Sequence, residues 1–229
     1  MHKVGFLGLK GGVGRTMLAT QIAARACDNF NMVALVDLDP TAGGTELWCT
    51  ERKRNNIGDQ PTLLKGVSDP LEAIERAEVF GHDFLCLDGA PGTTDATRLV
   101  AGILDVVLLP AKCSVDDLER AAIAAAICQK AGSAHIIGVV NDVPLKSDKR
   151  PYEEEMGERI KDEFESVGIT VATIRHRDHF LRARNAGVGV SEMYGRGPLG
   201  AQREINELYL LIAKALGYND VEGVDAEKS

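Results

Sequence analysis

Short runs of apolar residues alternate along the chain with longer segments in which apolar and polar residues recur at helical spacing. The runs are continuously apolar rather than alternating, as strands buried on both faces of a parallel sheet require. They predict strands at 3–9, 32–38, 84–88, 105–110, 135–141 and 169–174. The longer segments predict helices near 16–28, 69–79, 94–103, 115–131, 151–168, 178–186 and 199–216, and the polar segments 50–61 and 142–150 are predicted to be loops. The expected fold class is therefore α/β, with a doubly wound, mostly parallel sheet flanked by helices.

Composition narrows the class of protein. The 229 residues, 45% of them apolar, suit one domain over 1–217, followed by an acidic tail at 218–229 that is predicted to be disordered. The five cysteines are scattered, which indicates reduced thiols in a cytoplasmic protein rather than a disulfide framework. No apolar run approaches the roughly 18 residues of a membrane helix. The net charge of −8 means that any contact with nucleic acid has to come from a local basic patch.

A glycine-rich loop, "GLKGGVGRT" at 8–16, follows the first predicted strand. Its inner glycines let successive N–H groups turn around an anion, and the next helix aims its positive end at the same place. These glycines are Gly11, Gly12 and Gly14. Thr16 would offer its hydroxyl to Mg²⁺. The pattern G-x-x-x-x-G-K-[ST] is not met, because Leu9 stands at the first glycine and Arg15 at the lysine, so a plain glycine-rich turn remains an alternative for this loop alone.

Aspartates follow two other predicted strands. Asp37 and Asp39 end the strand at 32–38, and Asp88 ends the strand at 84–88. A single aspartate at a strand end is more often a helix cap or a turn residue. Three of them beside a glycine loop, at the sheet edge where α/β proteins bind ligands, predict a site for a nucleotide and Mg²⁺.

The loop and the aspartates together resemble the ParA/MinD group of deviant P-loop ATPases, whose loop reads K-G-G-x-G-K-[ST]. The resemblance implies a P-loop NTPase fold, ATP and Mg²⁺ as cofactors, and two catalytic residues. Lys10 would reach the nucleotide of a second subunit in an ATP-dependent sandwich homodimer, and Asp39 would position the attacking water. Thr16, Asp37 and Asp88 would hold Mg²⁺, partly through water. The implied nucleotide-binding residues are Lys10, Gly11, Gly12, Val13, Gly14, Arg15, Thr16, Met17, Asn141 and Pro198.

Further matches run over about residues 3–216 and favour the short ParA and VirC-type partition ATPases. "DLDPTAGGTELW" resembles their D-x-D-P-Q stretch, with Thr41 in place of glutamine, and Pro91 matches the proline after the magnesium-side aspartate. "DVVLLPAKCSVDDL" resembles another segment of these proteins, with Cys113 in place of a proline. "IRHRDHFLRARNAGVGVSE" resembles a third segment near their end. In this resemblance, Asn141 contacts adenine and Pro198 lies in the loop that packs on that ring.

Arg15 is the departure with the largest chemical consequence. Arginine keeps its charge and can bind phosphate through two parallel N–H bonds, so nucleotide binding is expected to persist. Its planar head cannot occupy the same point as an ammonium between the phosphates, which predicts slow hydrolysis. The alternative is that arginine replaces lysine with little effect.

A basic stretch, "RHRDHFLRAR" at 175–184, stands out in an otherwise acidic chain. Arg175, Arg182 and Arg184 could follow a phosphate backbone, as late basic residues do in relatives that bind DNA nonspecifically. The alternative is a solvated helix, with part of the run belonging to the family framework.

The resulting hypothesis is a cytoplasmic, nucleoid-associated ATPase that segregates or positions a cargo, with plasmid or chromosome partition as the leading case. Its expected partners are a second copy of the chain, nonspecific DNA, and an adaptor or centromere-binding protein. A MinD-like membrane ATPase would need a basic amphipathic helix at the C-terminus, whereas this chain ends in an acidic segment. An iron-protein-like electron carrier is disfavoured because Cys86 precedes Asp88 within the strand. A conjugation-associated ATPase and a very slow ATP-binding switch remain alternatives.

Overall fold

The fold is built around one parallel sheet. The computed structural model describes residues 1–39, 43–90, 92 and 94–218. Its strands are β1 (His2–Phe6), β2 (Val33–Asp37), β3 (Thr62–Leu63), β4 (Phe84–Asp88), β5 (Val106–Ala111), β6 (His135–Val143) and β7 (Thr170–Arg175). Its helices are α1 (Arg15–Ala26), α2 (Gly44–Arg54), α3 (Pro70–Val79), α4 (Thr94–Ala101), α5 (Val115–Lys130), α6 (Pro151–Ser166), α7 (Asp178–Ala186) and α8 (Leu199–Ala215), with short 3₁₀ helices at Lys146–Asp148 and Val190–Glu192.

The seven strands are ordered β3-β2-β4-β1-β5-β6-β7, and every neighbouring pair is parallel. The predicted α/β fold class is therefore confirmed, with a sheet that is wholly parallel in the described chain rather than mostly so. The continuous apolar runs have the expected cause, because all five residues of β4 and all six of β5 are buried.

Helices cover both faces of the sheet and create two hydrophobic cores. One core contains side chains of α1, α2, α7 and α8, including Leu18, Trp48 and Tyr209. The other contains side chains of α3, α4, α5 and α6, including Ile160 and Phe164. The helix after β1 therefore lies on one face, and the helices after β4 and β5 lie on the other. This change of side places the expected ligand crevice at the carboxyl end of β1.

Two elements near residue 50 were not predicted. Residues 50–54, expected to be loop, belong to α2, and β3 follows at Thr62–Leu63. The sequence of α2, GTELWCTERKR, is mostly polar, although Trp48 is fully buried and the Arg52 side chain forms an ion pair with Glu192 in the interior. Because the buried face of α2 includes an arginine and a threonine, its apolar periodicity is too weak to identify a helix.

The remaining boundaries differ from the predictions by a few residues. The first strand ends at Phe6 rather than residue 9, and the segment 142–150 contains the end of β6 and a short 3₁₀ helix as well as loop. Thr41, Pro91 and the predicted tail beyond Tyr218 lie outside the described residues. None of the described helices is long and apolar enough to cross a membrane.

Candidate functional site

The glycine loop joins β1 to α1 at the carboxyl edge of the sheet. Gly14 immediately precedes α1 and has a left-handed φ of 103°, and Gly12 has a φ of 76°. Glycine adopts both conformations without steric cost. The first N–H groups of α1 have no acceptor within the helix, and together with the helix dipole they favour a phosphate at this edge.

The side chain of Asn141, on β6, forms a hydrogen bond with the backbone of the glycine loop. Asn141 is buried, at 3% exposure, and its Nδ2 atom donates to the carbonyl oxygen of Val13 at 2.8 Å. A β-carbon at Gly14 would lie 2.1 Å from that Nδ2 atom, so a larger residue at position 14 would collide with it. The adenine contact expected for Asn141 stays a prediction. The structure shows instead that Asn141 binds the backbone of the glycine loop.

The carboxylates meet beside the loop because of the sheet register. Asp37 on β2 pairs directly with Asp88 on β4, and Oδ1 of Asp37 accepts the N–H of Asp39 at 2.9 Å. Asp88 is 3% exposed, and burial raises its pKa to about 6 in spite of hydrogen bonds from the Thr16 and Thr45 hydroxyls. Burial likewise raises the pKa of Asp37. Two neighbouring carboxyl groups are thus held in a place that disfavours negative charge.

A cavity of about 330 Å³ opens between the loop, the carboxylates and the start of α2. Its size lies in the range of small-molecule sites. The cavity is lined by Gly11, Gly12, Gly14, Arg15, Thr16, Met17, Thr20, Asp39, Gly44, Trp48, Asp88, Gly89 and Arg184. Eight of the residues predicted for nucleotide binding, metal binding or catalysis therefore line it, and so does Arg184, which was predicted to contact DNA. Four residues predicted to bind the nucleotide are not among the described residues that line the cavity: Lys10, Val13, Asn141 and Pro198. Asp37 does not line it either, but its carboxylate accepts a hydrogen bond from Asp39, which does.

Arg15 lines the cavity, but its guanidinium is engaged by the backbone. Nε donates to the carbonyl oxygen of Gly89 at 2.7 Å, and Nη1 donates to the carbonyl oxygens of Lys10 at 2.5 Å and Gly8 at 3.4 Å. The residue is only 8% exposed, and burial lowers its pKa. Arg15 thus joins both ends of the glycine loop to the residue after β4.

Lys10 points away from the cavity, towards the start of α5. Its ammonium lies 2.8 Å from Oδ2 of Asp117 and 3.0 Å from Oδ2 of Asp116. The hydrogen bond with Asp117 is the main cause of a raised pKa at Lys10. Lys10 is therefore paired within its own chain in this structure.

Oxygen donors at the start of α1 and at the ends of β2 and β4 fit a magnesium ion. Thr16, Asp37 and Asp88 offer only oxygen atoms, which hard divalent cations prefer. Asp88 is a buried carboxyl group with a raised pKa, so a cation nearby would favour its charged form. These three residues are therefore suited to holding Mg²⁺, directly or through water.

The three arginines predicted to contact DNA are in different environments. Arg175 donates through Nη1 to the carbonyl oxygen of Pro144 at 3.0 Å. Arg182 and Arg184 are both exposed on α7, but only Arg184 lines the cavity. The three arginines therefore differ in their contacts, and their binding to DNA stays a prediction.

Sequence reasoning missed several residues that line the cavity or bind its carboxylates. Thr45, whose hydroxyl donates to Asp88 at 2.8 Å, and Gly44, which lines the cavity, both belong to the unpredicted α2. Thr20 and Gly89 were also not assigned to the site. Arg184 lies beside the cavity because α7 packs on α2, and no pattern in the sequence predicts that packing.

The glycine loop, the paired carboxylates and the parallel sheet define a P-loop type of α/β fold, the fold of the ParA/MinD group of ATPases. Similar solved structures include a complex of Cyanothece McdA with ATP, which is 15% identical with a TM-score of 0.67 over 97% of this chain and 98% of that one. MinD of Pyrococcus horikoshii with Mg-ADP is 14% identical with a TM-score of 0.66 over 94% and 99%. A ParA family ATPase of Chlorobium tepidum is 15% identical with a TM-score of 0.63 over 92% and 99%. No protein-family model and no curated protein sequence matches the chain.

Proposed function

We propose that this protein binds ATP with Mg²⁺, forms an ATP-dependent homodimer and hydrolyses the nucleotide slowly. The observation that carries the proposal is the pairing of Asp37 with Asp88 across β2 and β4, beside a glycine loop that opens α1. Phosphates would contact the loop N–H groups, and the Thr16 hydroxyl would join the two carboxylates in holding the metal. The similar structures solved with ATP and with Mg-ADP support this choice of ligands.

Asp39 is the proposed positioning residue for the attacking water. It lines the cavity, and its N–H is fixed on the Asp37 carboxylate at 2.9 Å. A carboxylate held at this place can accept a hydrogen bond from water and orient its oxygen towards the terminal phosphate. Mg²⁺, when bound, would neutralise charge on the phosphate oxygens.

The engagement of Arg15 is the observation that supports slow hydrolysis. Its Nε and Nη1 donate to backbone carbonyls rather than to the open cavity. Charge that develops on the terminal phosphate would then receive less stabilisation than a free ammonium could provide. The same observation favours a second candidate function, an ATP-binding switch in which hydrolysis is very slow.

The proposed cellular role is to position or segregate a cargo, a plasmid or chromosome, while bound to nonspecific DNA in the cytoplasm. Lys10 would leave Asp116 and Asp117 to reach the nucleotide of the second subunit, and an adaptor or centromere-binding protein would stimulate hydrolysis. Arg182, exposed on α7, is the residue of the basic stretch best suited to a phosphate backbone. Conjugation-associated and MinD-like roles share the nucleotide chemistry and differ in the partner.

The test measures Mg-ATP binding, hydrolysis and oligomeric state for the parent protein and for Asp39→Ala. The parent should bind ATP, dimerise with it and hydrolyse it. Asp39→Ala should bind ATP within severalfold of the parent and remain dimeric, because it has lost only the group that orients water. Loss of ATP binding in Asp39→Ala would refute the role of Asp39, and failure of the parent to bind ATP would refute the proposed function.

A further inference from the structure

Arg184 approaches the phosphate end of the cavity from α7. Its Nη2 atom lies 3.8 Å from the point that a β-carbon of Gly44 would occupy, and Cγ2 of Thr16 lies 3.0 Å from that same point. Thr16 is the loop residue proposed to hold the metal, and Gly44 opens α2. The guanidinium therefore lies beside the proposed metal and phosphate position, within the same chain.

Unlike three other arginines of the same region, Arg184 has no hydrogen-bond or ion-pair partner among the described residues. Arg177 binds the Glu204 carboxylate at 2.7 Å, Arg52 binds the Glu192 carboxylate at 2.6 Å, and Arg175 donates to a carbonyl oxygen. Within residues 1–39, 43–90, 92 and 94–218, Arg184 forms no hydrogen bond and no ion pair. Its charge is thus available to an anion that enters the cavity.

The described side chains in and beside the cavity carry more negative than positive charge. Three carboxylates, those of Asp37, Asp39 and Asp88, lie in or against the cavity. The loop cation that could oppose them, Arg15, is directed to the carbonyl oxygens of Gly89 and Lys10. A triphosphate bound here would add more negative charge than one Mg²⁺ offsets, so a second side-chain cation within reach would favour binding.

We infer that Arg184 binds the terminal phosphate of the nucleotide in its own subunit and provides the charge that Arg15 directs elsewhere. A guanidinium can donate two parallel N–H bonds to a phosphate, and these charge-assisted bonds are among the strongest in proteins. Because the terminal phosphate distinguishes ATP from ADP, Arg184 would make the site selective for ATP. This inference rests on the proposed function, since it presupposes nucleotide binding at the glycine loop.

The experiment compares affinities for a fluorescent, non-hydrolysable ATP analogue and for fluorescent ADP, both with Mg²⁺. The variants are Arg184→Ala, Arg184→Lys and the control Arg54→Ala, which removes an arginine of α2 whose side chain is 77% exposed. Arg184→Ala should weaken binding of the ATP analogue about 10-fold to 100-fold and that of ADP about 2-fold or less, as expected for one charge-assisted contact. Arg184→Lys should recover part of the loss, and Arg54→Ala should match the parent.

The outcomes separate this inference from the proposal on which it rests. Equal losses for both nucleotides, or no loss for either, would overturn the role of Arg184 while the proposed function stands. Weaker DNA binding with unchanged nucleotide affinity would also overturn it and would support the DNA contact predicted from the sequence. If the parent protein binds neither nucleotide, the proposed function fails and this inference fails with it. Thermal unfolding of Arg184→Ala should match the parent, because the side chain has no bond to lose in the described chain.

Discussion

Lys10 and Asp117 form an ion pair of 2.8 Å in which the carboxylate is almost completely buried, at 3% exposure of its side chain. The second carboxylate oxygen, Oδ1, is buried without a hydrogen-bond partner among the described residues. Lys10 and the Ser114 hydroxyl both bind the Oδ2 atom of this buried carboxylate, so the residue proposed to reach a second subunit also supplies a positive charge to its own chain.

Lys10→Ala should consequently reduce the stability of the monomer. We expect a loss of about 1–2 kcal/mol in the free energy of unfolding, less than for a fully buried pair because Lys10 is partly exposed to solvent. Urea unfolding monitored by circular dichroism measures this loss. Combining Lys10→Ala with Asp117→Asn should restore part of it, because the unpaired charge is removed.

The same double variant provides a control for the proposed dimer. Lys10→Ala should weaken ATP-dependent dimerisation more than it weakens ATP binding to the monomer, and the double variant should dimerise no better than Lys10→Ala alone. Recovery of the dimer in the double variant would mean that the defect came from stability and that Lys10 makes no contact across the subunits.

The buried Asp88 carboxyl group should make the free energy of unfolding depend on pH. Its pKa rises from an ordinary value of 3.8 to about 6 on folding, so the folded state binds the proton more tightly than the unfolded state. Folding stability should therefore fall as the pH rises from about 4 to about 6, and at about 1.4 kcal/mol per pH unit the cost approaches 3 kcal/mol at neutral pH. Burial of Asp37 acts in the same direction.

Urea midpoints at pH 4 to 7 test this expectation. Asp88→Asn should show a smaller decline over that range than the parent, whereas Asp95→Asn, which alters a side chain that is 87% exposed, should follow the parent. Parallel curves for Asp88→Asn and the parent would show that Asp88 is not the titrating group.

Arg15→Lys should change stability and turnover in opposite directions. The substitution removes the guanidinium bonds to the carbonyl oxygens of Gly89 and Lys10, so we expect a loss of about 1–3 kcal/mol in unfolding free energy. An ammonium free to approach the phosphates should raise single-turnover hydrolysis about tenfold, which corresponds to about 1.4 kcal/mol of barrier. A slower reaction in Arg15→Lys would mean that the arginine is the better catalyst in this loop.

Arg182→Ala tests the DNA contact separately from the nucleotide. If Arg182 neutralises one phosphate, the variant should make the log–log salt dependence of DNA binding shallower by roughly 0.9. ATP affinity should not change, because Arg182 is not among the described residues that line the cavity. Arg98→Ala, on the opposite face of the sheet, serves as the control. An unchanged slope in Arg182→Ala would favour the solvated-helix alternative.

The fold was predictable because buried parallel strands have a direct signature, and the continuous apolar run of β4 was located at its true ends, 84 and 88. The loop glycines and the strand-end aspartates could be identified for a similar reason, because each group directly follows or ends an apolar strand in the sequence. Arg184 was not assigned to the cavity, and Thr45 was not assigned to the Asp88 carboxylate that it contacts, because both contacts arise from the packing of α7 and α2. The orientation of Arg15 was equally inaccessible, since it depends on carbonyl groups 7 and 74 residues away along the chain.

The contact between Asn141 and the loop limits how this protein can vary. Shortening Asn141 would remove the atom that collides with a β-carbon at position 14, yet Gly14 would still require a φ of 103°. Any other residue at position 14 would therefore remain strained, even with the space cleared. Among random variants that still fold, position 141 should accept other side chains that can donate a hydrogen bond to the Val13 carbonyl oxygen. Position 14 should be occupied only by glycine. The two positions share a contact but have unequal freedom to diverge.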